Sequence, residues 1–259
     1  MSESLYIAAS GMHAQQLNID VIANNLANVN TTGFKKSRVD FEDLMYREIS
    51  KANGLIGDQT NNNAIGVGSG IAGTSKVFSM GEVKKTERPL DLAILGDGFF
   101  EVVMPDGSYG YTRSGSFRIN SDGYVSNSDG YVVSPLVQIP NDAEQVLIQP
   151  DGTVKVLVSG EDSLVEIGQF EMAKFVNPAG LNPMGSNLYQ PTQESGDAIY
   201  HSPGEEGAGT IEQGFLETSN VKLVEELTNL VLAQRAYEIN SKVVQASDEM
   251  MSIVNNLRR

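Results

Sequence analysis

The sequence predicts an α+β protein that has a discontinuous N- and C-terminal α-helical coiled-coil domain and a central antiparallel, mainly β domain. Three observations predict this class. Apolar residues follow a seven-residue repeat near both ends, those ends contain no proline, and five Asp-Gly pairs lie in the middle. We expect residues 1–45 and 216–259 to form the helical domain, 46–87 an extended Gly/Asn-rich connecting segment, and 88–215 the β domain.

The first predicted element is a helix over residues near 1–34. Side chains spaced three and four residues apart fall on one stripe of a helix. A repeat of 3.5 residues per turn also favours a left-handed supercoil with a partner helix. Gln15 interrupts the apolar row, which consists of Leu5, Ala8, Met12, Ile19, Ile22, Leu26 and Val29.

The other face of this helix is nearly uncharged. Glu3 and Asp20 are the only charged side chains between positions 1 and 34. A solvated helix usually carries Glu/Lys pairs, and asparagine is a mediocre helix former. We therefore expect this face to pack against further protein; a solvated amide-rich face is the alternative. The amides include Asn18, Asn24, Asn25, Asn28 and Asn30.

The segment between Lys51 and Met80 is rich in glycine, asparagine and serine. Small residues alternate with larger ones at Ala64, Gly66, Gly68, Gly70 and Ala72. One face of such an extended segment is nearly bare backbone, which permits close packing against another chain or the subunit's own helix. A flexible linker is the alternative.

The middle of the chain predicts short antiparallel strands. Asp-Gly pairs between alternating apolar residues are a strong hairpin signal, and the hexapeptide NSDGYV occurs at both 120–125 and 127–132. Short strands at this spacing are typical of a sandwich or a barrel. Residues 177–210, rich in Gly, Pro, Asn and Ser, are expected to be loops.

The last predicted element is a long helix over 221–259, which contains neither glycine nor proline. Ser219 or Asn220 is expected to cap its start. Two matched repeats at the two ends indicate that the helices pair with each other; separate packing of each on the β domain is the alternative. The apolar stripe consists of Leu232, Ala236, Ile239, Val243, Ala246, Met250, Ile253 and Leu257, and Leu223, Leu227 and Leu230 extend it with a small phase shift.

Composition excludes several classes of function. The net charge of −15 disfavours nucleic acid, whose binding proteins need a basic surface. The absence of cysteine removes disulfides, zinc-thiolate sites and thiol nucleophiles. It fits either a cytosolic protein or one that crosses an oxidising compartment. We see neither a cleavable signal peptide nor an apolar run long enough to span a bilayer.

Candidate chemical sites are weak. Gly68–Gly73 fits the dinucleotide fingerprint, but no amphipathic helix is expected to open within it. His201 lacks an orienting acid and a nucleophile motif, His13 lies beside the heptad stripe, and both are expected to be surface or packing residues. The NSDG repeats resemble calcium loops, although hairpin turns explain them more simply. We therefore expect no catalytic residue, metal or cofactor, and no enzymatic activity.

Four long motifs resemble the family of bacterial flagellar basal-body rod and hook proteins. They are ANNLANVNTTGFK at 23–35, RPLDLAILGDGFFEVVMPDGSYGYTRSGSF at 88–117, FVNPAGLNPMGSNLYQPTQESG at 175–196 and GFLETSNVKLVEELTNLVLAQRAYEINSKVV at 214–244. They occur in the family's order and cover nearly the whole chain. The first contains the family signature Gly33, Phe34 and Lys35. Length and the opening residues are most similar to members that build the distal rod.

The resemblance implies a structural subunit that polymerises helically into a straight hollow shaft and transmits torque from motor to hook. Its helices would line the inner wall, with its β domain outside. Expected partners are further copies of the chain, proximal rod proteins, hook protein, the P-ring and L-ring proteins and the type III export apparatus. The expected location is the basal body, in a rod spanning the periplasm toward the outer membrane. Alternatives are a proximal rod or hook subunit and, more distantly, a secreted glycan-binding β domain with a coiled-coil stalk.

Overall fold

A computed structural model describes residues 2–44, 46–48, 64–160, 163–205 and 207–257. Helix α1 spans Ser2–Ala27 and helix α2 spans Leu223–Leu257; a 3-10 turn covers Pro178–Gly180. Strands β1 to β20, in chain order, are Ser37–Asp43, Tyr46–Glu48, Ala64–Gly66, Ser69–Lys76, Val83–Lys85, Leu92–Leu95, Phe100–Val103, Tyr109–Thr112, Arg118–Ile119, Val125–Ser126, Val132–Ser134, Ala143–Ile148, Thr153–Val158, Val165–Gln169, Met172–Lys174, Asn182–Gly185, Leu188–Gln190, Ile199–His201, Thr210–Gln213 and Phe215–Glu217.

This arrangement confirms the predicted α+β class, with a helix at each end and a largely antiparallel β region between them. The chain divides into two compact units. Unit 1 contains Met1–Leu26, Ser37–Ser75 and Leu223–Arg259; unit 2 contains Ala27–Lys36 and Lys76–Lys222. The supercoiling of the helices stays a prediction, as does the division into the segments 1–45 with 216–259, 46–87 and 88–215.

The two helices of unit 1 run antiparallel and contact each other. Ser4 Oγ lies 3.5 Å from Ser247 Oγ, and the Asn25 side chain donates to Glu226 Oε2 at 3.3 Å. Between these contacts, Gly11 packs so closely on Asn240 that a Cβ atom there would lie 2.8 Å from the amide nitrogen. The contacts are seven and fourteen residues apart on both helices, so one stripe of each helix faces the other.

Unit 1 also contains two short β ribbons. Strand β1 pairs with β4, and β2 pairs antiparallel with β3. A Cβ atom at Gly68 would lie 2.4 Å from Ser10 Oγ, so the glycine-rich segment packs directly on α1. The expected close packing against the subunit's own helix therefore holds at Gly68. The part of the predicted connecting segment at 49–63 lies outside the described residues.

Unit 2 is built on a seven-stranded sheet in the order β16-β17-β8-β7-β11-β10-β9. A three-stranded sheet, β12-β13-β14, and several two-stranded pairs accompany it. Aliphatic side chains and the rings of Phe100, Phe117 and Phe170 form one continuous core. Phe99, Tyr111, Phe175 and Tyr189 form a second, aromatic cluster.

The repeated NSDG sequences are turns that use the asparagine side chain as an acceptor. Asn120 Oδ1 accepts from the backbone N–H of Asp122 and Tyr124, at 3.0 and 2.9 Å. Asn127 makes the same two bonds to Asp129 and Tyr131. These oxygens are therefore occupied in shaping hairpins. No group of three or more His, Asp or Glu side chains in the described part of the chain is placed to hold a metal.

Three expectations about local structure are wrong. The sequence predicts a first helix that continues to about residue 34, but α1 ends at Ala27, and Asn28 and Val29 lie in the following turn. That turn is closed by hydrogen bonds from Thr31 to Asn28, which compete with helix continuation. Residues 177–210 are not all loops, since β16, β17 and β18 lie there and pair with other strands.

The third error concerns the start of α2, which begins at Leu223 rather than after a cap at Ser219 or Asn220. The Ser219 hydroxyl accepts from the backbone N–H of Val221, and the Asn220 amide bonds elsewhere in unit 2. Neither helix in the described residues combines the length and apolar character needed to cross a bilayer.

Candidate assembly interface

The predicted apolar stripe of α2 lies mostly on the surface of unit 1. Leu232 and Ile239 are 62% and 61% exposed, and Ile253 is 58% exposed. Leu223, Leu227, Val243, Ala246, Met250 and Leu257 are exposed as well, whereas Leu230 and Ala236 are half-buried. The stripe is real as a pattern, but most of it does not face the subunit's own α1. Contiguous exposed apolar surface of this kind is typical of protein interaction sites.

The stripe that faces α1 lies one residue further along the helix. Its buried members are Glu226, Ala233 and Ser247, and Asn240 packs on Gly11. These positions repeat every seven residues like the apolar stripe, but they are small or polar. The fully buried positions of α2 are therefore mostly small or polar, and the apolar row beside them stays largely exposed.

The predicted stripe of α1 is better covered. Ala8 and Ile22 are buried, and Leu5, Met12, Ile19 and Leu26 are half-buried. Ala14 is also buried, which the heptad row did not include. Two neighbouring asparagines behave differently, because Asn24 is exposed and Asn25 is 2% exposed.

Asn25, near the end of α1, forms hydrogen bonds with both β1 and α2. Its Oδ1 accepts from the Ser37 N–H at 2.8 Å, and its Nδ2 donates to the Ser37 carbonyl at 2.9 Å. The same Nδ2 donates to Glu226 Oε2. The Asn25 side-chain amide has both a donor and an acceptor, so it can form this pair of hydrogen bonds with the Ser37 backbone, as a neighbouring strand would. The amide-rich segment thus has a structural purpose at this position.

The signature residues Gly33, Phe34 and Lys35 are all buried in unit 2. Gly33 has φ +69°, and a Cβ atom there would lie 2.6 Å from the Ser114 nitrogen, so both conformation and space require glycine. The Phe34 ring lies under the Lys76 ammonium at 4.7 Å. These residues hold the chain that leaves α1.

Lys35 forms a buried ion pair with Glu217, on the strand that precedes α2. Lys35 Nζ lies 2.6 Å from Glu217 Oε1 and 2.8 Å from the Ser79 carbonyl, and both charged side chains are almost fully buried. The Gly81 N–H donates to the same Oε1, and Arg113 Nη1 lies 3.7 Å from Oε2. The segment after α1 and the strand before α2 are therefore tied together within unit 2.

Burial and charge act in opposite directions on this cluster. Burial lowers the pKa of Lys35 below its ordinary value, and the Glu217 carboxylate partly offsets that effect. Burial likewise lowers the pKa of Arg113, with Glu217 and Asp97 opposing it. Because removing either partner leaves an uncompensated buried charge, the cluster specifies one arrangement of the two segments.

Sequence reasoning missed Glu217, Arg113 and Asn220 as members of this junction. Asn220 accepts from the Lys36 N–H at 2.8 Å and donates to the Val77 carbonyl at 2.7 Å. A lone acidic residue in a strand gives no local signal of burial. Arg113 lies in the motif at 88–117, and Glu217 and Asn220 lie in the motif at 214–244. The motifs identified the family, but they did not indicate that these three residues contact one another.

The structure also places the Gly68–Gly73 motif and the two histidines. The Gly68–Gly73 motif runs into strand β4, and no helix begins within it, so the context of the dinucleotide fingerprint is missing. His13 is exposed on α1, and His201 lies on β18 opposite Met172.

Comparison with known proteins supports a single family. Three family models match: "Flagella basal body rod protein" at residues 5–35, "Flagellar hook protein FlgE/F/G D1 domain" at 93–156 and "Flagellar basal body rod FlgEFG protein C-terminal" at 212–257. A flagellar basal-body rod protein FlgG from Borreliella burgdorferi is 47% identical, and all of both chains is covered. FlgG proteins from Buchnera aphidicola (Schizaphis graminum) and Caulobacter vibrioides are 45% and 42% identical; 99% of this chain is covered in each case, with 100% and 99% of the relatives.

Proposed function

The chain belongs to the family of flagellar basal-body rod proteins called FlgG, and we propose on that basis that it is the structural subunit of the distal rod. Copies polymerise helically into a straight hollow shaft that transmits torque from motor to hook. Identity of 47% over the full length of a relative supports this reading over a proximal rod or hook subunit. A relative with a different name, the flagellar hook-basal body complex protein FlhP of Bacillus subtilis, is 26% identical over the full length of both chains.

The observation that carries the proposal is the exposed apolar stripe of α2. The helix has 35 residues, which corresponds to a length of about 52 Å. Along this length the internal partner α1 takes the small and polar row of Glu226, Ala233 and Ser247, while Leu232, Ile239 and Ile253 face outward. Polymerisation buries this surface, because neighbouring copies place their own helices against it.

The two rows give the helices separate tasks. The small and polar row sets the register of α1 on α2 within one subunit, since a misplaced polar side chain loses its partner. The apolar row supplies association energy between subunits, since it gains from leaving water in any well-packed contact. A close-packed wall resists shear, which a torque-bearing shaft needs.

Partners and location follow from the same proposal. The subunit contacts further copies of itself, proximal rod proteins below and hook protein above, inside the P and L rings. It reaches the periplasm through the flagellar type III export apparatus. In this proposal the chain acts mechanically, as a structural subunit.

The proposal is tested by placing a charge in the apolar row. Ile239→Asp should leave the circular dichroism spectrum of the purified monomer unchanged, because Ile239 is exposed. In cells that lack their own copy of the gene, it should abolish swimming and the distal rod in electron micrographs of basal bodies. Gln245→Asp is the matched control, since it adds the same charge at an exposed position of the same helix.

Two outcomes contradict the proposal. Normal rods with Ile239→Asp would show that the apolar row is not an assembly surface. A wild-type chain that restores a curved hook or a proximal segment, but no straight distal rod, would assign it to another member of the family.

A further inference from the structure

Unit 2 contains a small cavity that takes no part in the interface described above. Its volume is about 200 Å³, and Phe78, Phe99 and Phe175 form its walls. Val176 also lines the cavity and is 83% exposed, so part of the apolar lining is accessible to solvent. Sites for cofactors and drug-sized ligands are larger, roughly 300–1,000 Å³. The cavity is suited to a single large side chain.

The cavity also has a cationic end. Arg113, 3% exposed, and Lys174 both line it together with one carboxylate, Asp97, and Glu217 lies behind the lining at 3.7 Å from Arg113 Nη1. Arg113 Nη2 donates to the Gly96 carbonyl, whereas Nε and Nη1 donate no hydrogen bond to any described atom. Lys174 donates to the Gly207 carbonyl and, as an ammonium group, retains further donors. The cavity therefore fits an apolar group that has a carboxylate close by.

One exposed segment of the chain has this chemistry. Phe41, on β1, is 48% exposed, while the other eight phenylalanines are buried or half-buried. Asp43 projects from the same face of β1, because strand side chains alternate, and it is also exposed. The intervening Glu42 points to the opposite face, where its carboxylate lies near Gly70.

We propose that the cavity receives Phe41 of a second copy of this chain, with Asp43 of that copy facing Lys174 and Arg113. Aromatic side chains favour edge-to-face contacts, and Phe78, Phe99 and Phe175 already pack in that geometry at 5.2 and 5.7 Å. The carboxylate meets cationic groups on a chain whose net charge is −15, and this favours the cavity over the acidic surfaces of a neighbouring copy. The inference rests on the proposed function only in taking the partner to be another copy.

The absence of native cysteine makes a disulfide test direct. Phe41→Cys and Val176→Cys chains of different tagged lengths are expressed together, and isolated basal bodies are oxidised. We expect a mixed disulfide dimer on a non-reducing gel. Leu136→Cys is the matched control for Val176→Cys, because Leu136 is exposed, apolar and outside the cavity; it should give no such dimer with Phe41→Cys.

Charge exchange provides a second test. Lys174→Glu should reduce swimming and rod yield, and Asp43→Lys in the same chain should restore both, because every subunit then carries the exchanged pair.

Each result bears on one statement. Normal rods without the mixed dimer, or without rescue by the exchanged charges, would overturn this inference and leave the proposed function intact. A disulfide within dilute monomers of the Phe41→Cys/Val176→Cys double variant would assign the cavity to the subunit's own segment. Failure of wild-type chains to form rods would contradict the proposed function itself.

Discussion

Lys35 illustrates what a single residue contributes to this fold. Lysine is rarely fully buried, because the ammonium group loses its hydration unless charged and polar partners replace it. Here Glu217 and the Ser79 carbonyl replace the water around the Lys35 ammonium group. The Gly81 N–H and Arg113 in turn lie close to the Glu217 carboxylate. The identity of the residue is thus set by partners about 40 and 180 positions away.

Lys35→Met should destabilise unit 2 by about 3–5 kcal/mol, because the buried Glu217 carboxylate then loses its ion-pair partner at 2.6 Å and keeps Arg113 at 3.7 Å. Urea unfolding followed by tyrosine fluorescence measures this change. Lys84→Met, at an exposed position of β5, is the control and should change stability by less than about 0.5 kcal/mol. Equal effects of the two variants would show that the ion pair does not specify the junction.

The raised pKa values of two tyrosines in the aromatic cluster lead us to expect that the protein loses stability at alkaline pH. Burial, the hydroxyl of Tyr200 and the charge of Glu101 raise the pKa of Tyr111, and burial and Glu217 raise the pKa of Tyr189. Below the ordinary pKa of about 10, both states keep the proton. Above it the unfolded chain ionises first, so stability falls as pH rises.

Absorbance at 295 nm should therefore show a class of tyrosines that ionises only when the chain unfolds. Tyr111→Phe should reduce this delayed class by one residue. A titration in which all nine tyrosines ionise together below about pH 11 would contradict the burial of this cluster.

At the scale of elements, the two helices show what periodicity can and cannot predict. The heptad repeat correctly indicated helices at both ends. It did not indicate which of two adjacent rows on α2 faces α1, because rows one residue apart share the same period. Ala233 is buried and the adjacent Leu232 is exposed because the small and polar residues of α1 pack on the row of α2 that contains Ala233.

The register of the helix pair is testable with introduced cysteines. Ser4→Cys with Ser247→Cys should form an intramolecular disulfide, because their hydroxyl oxygens lie 3.5 Å apart. Ser4→Cys with Asn240→Cys should not, since Asn240 lies two helical turns away and packs on Gly11. Mass spectrometry of peptides from the oxidised monomer identifies the linkage. A dominant disulfide between positions 4 and 240 would overturn the antiparallel register.

At the scale of the whole molecule, burial is uneven between the ends and the middle. Buried residues of α2 are limited to Glu226, Ala233 and Ser247, whereas many strands of unit 2 contribute fully buried side chains to two hydrophobic clusters. Elements with little buried surface open more readily than core strands. The stability of α2 should therefore depend on assembly.

Hydrogen exchange measures this difference. Amides of 232–257 should exchange faster than those of β7 and β13 in the dilute monomer, and slower in the rod than in the monomer. Protease treatment of the monomer should likewise cut first in the terminal helices. If the amides of α2 were equally protected in monomer and rod, the helix would not be an assembly element.

Local sequence determined that a helix lies near each end of the chain and that hairpin turns lie in the middle, because these features depend on neighbours within a few residues. Four of the five Asp-Gly pairs lie between paired strands and form hairpin turns, whereas Asp97-Gly98 joins β6 to β7, which do not pair with each other. The family motifs identified the relatives. Tertiary structure alone decided which helical row is internal, why Lys35 is buried and where Asn220 bonds. Those outcomes depend on groups distant in sequence, whose desolvation and pairing are settled only when the chain brings them together.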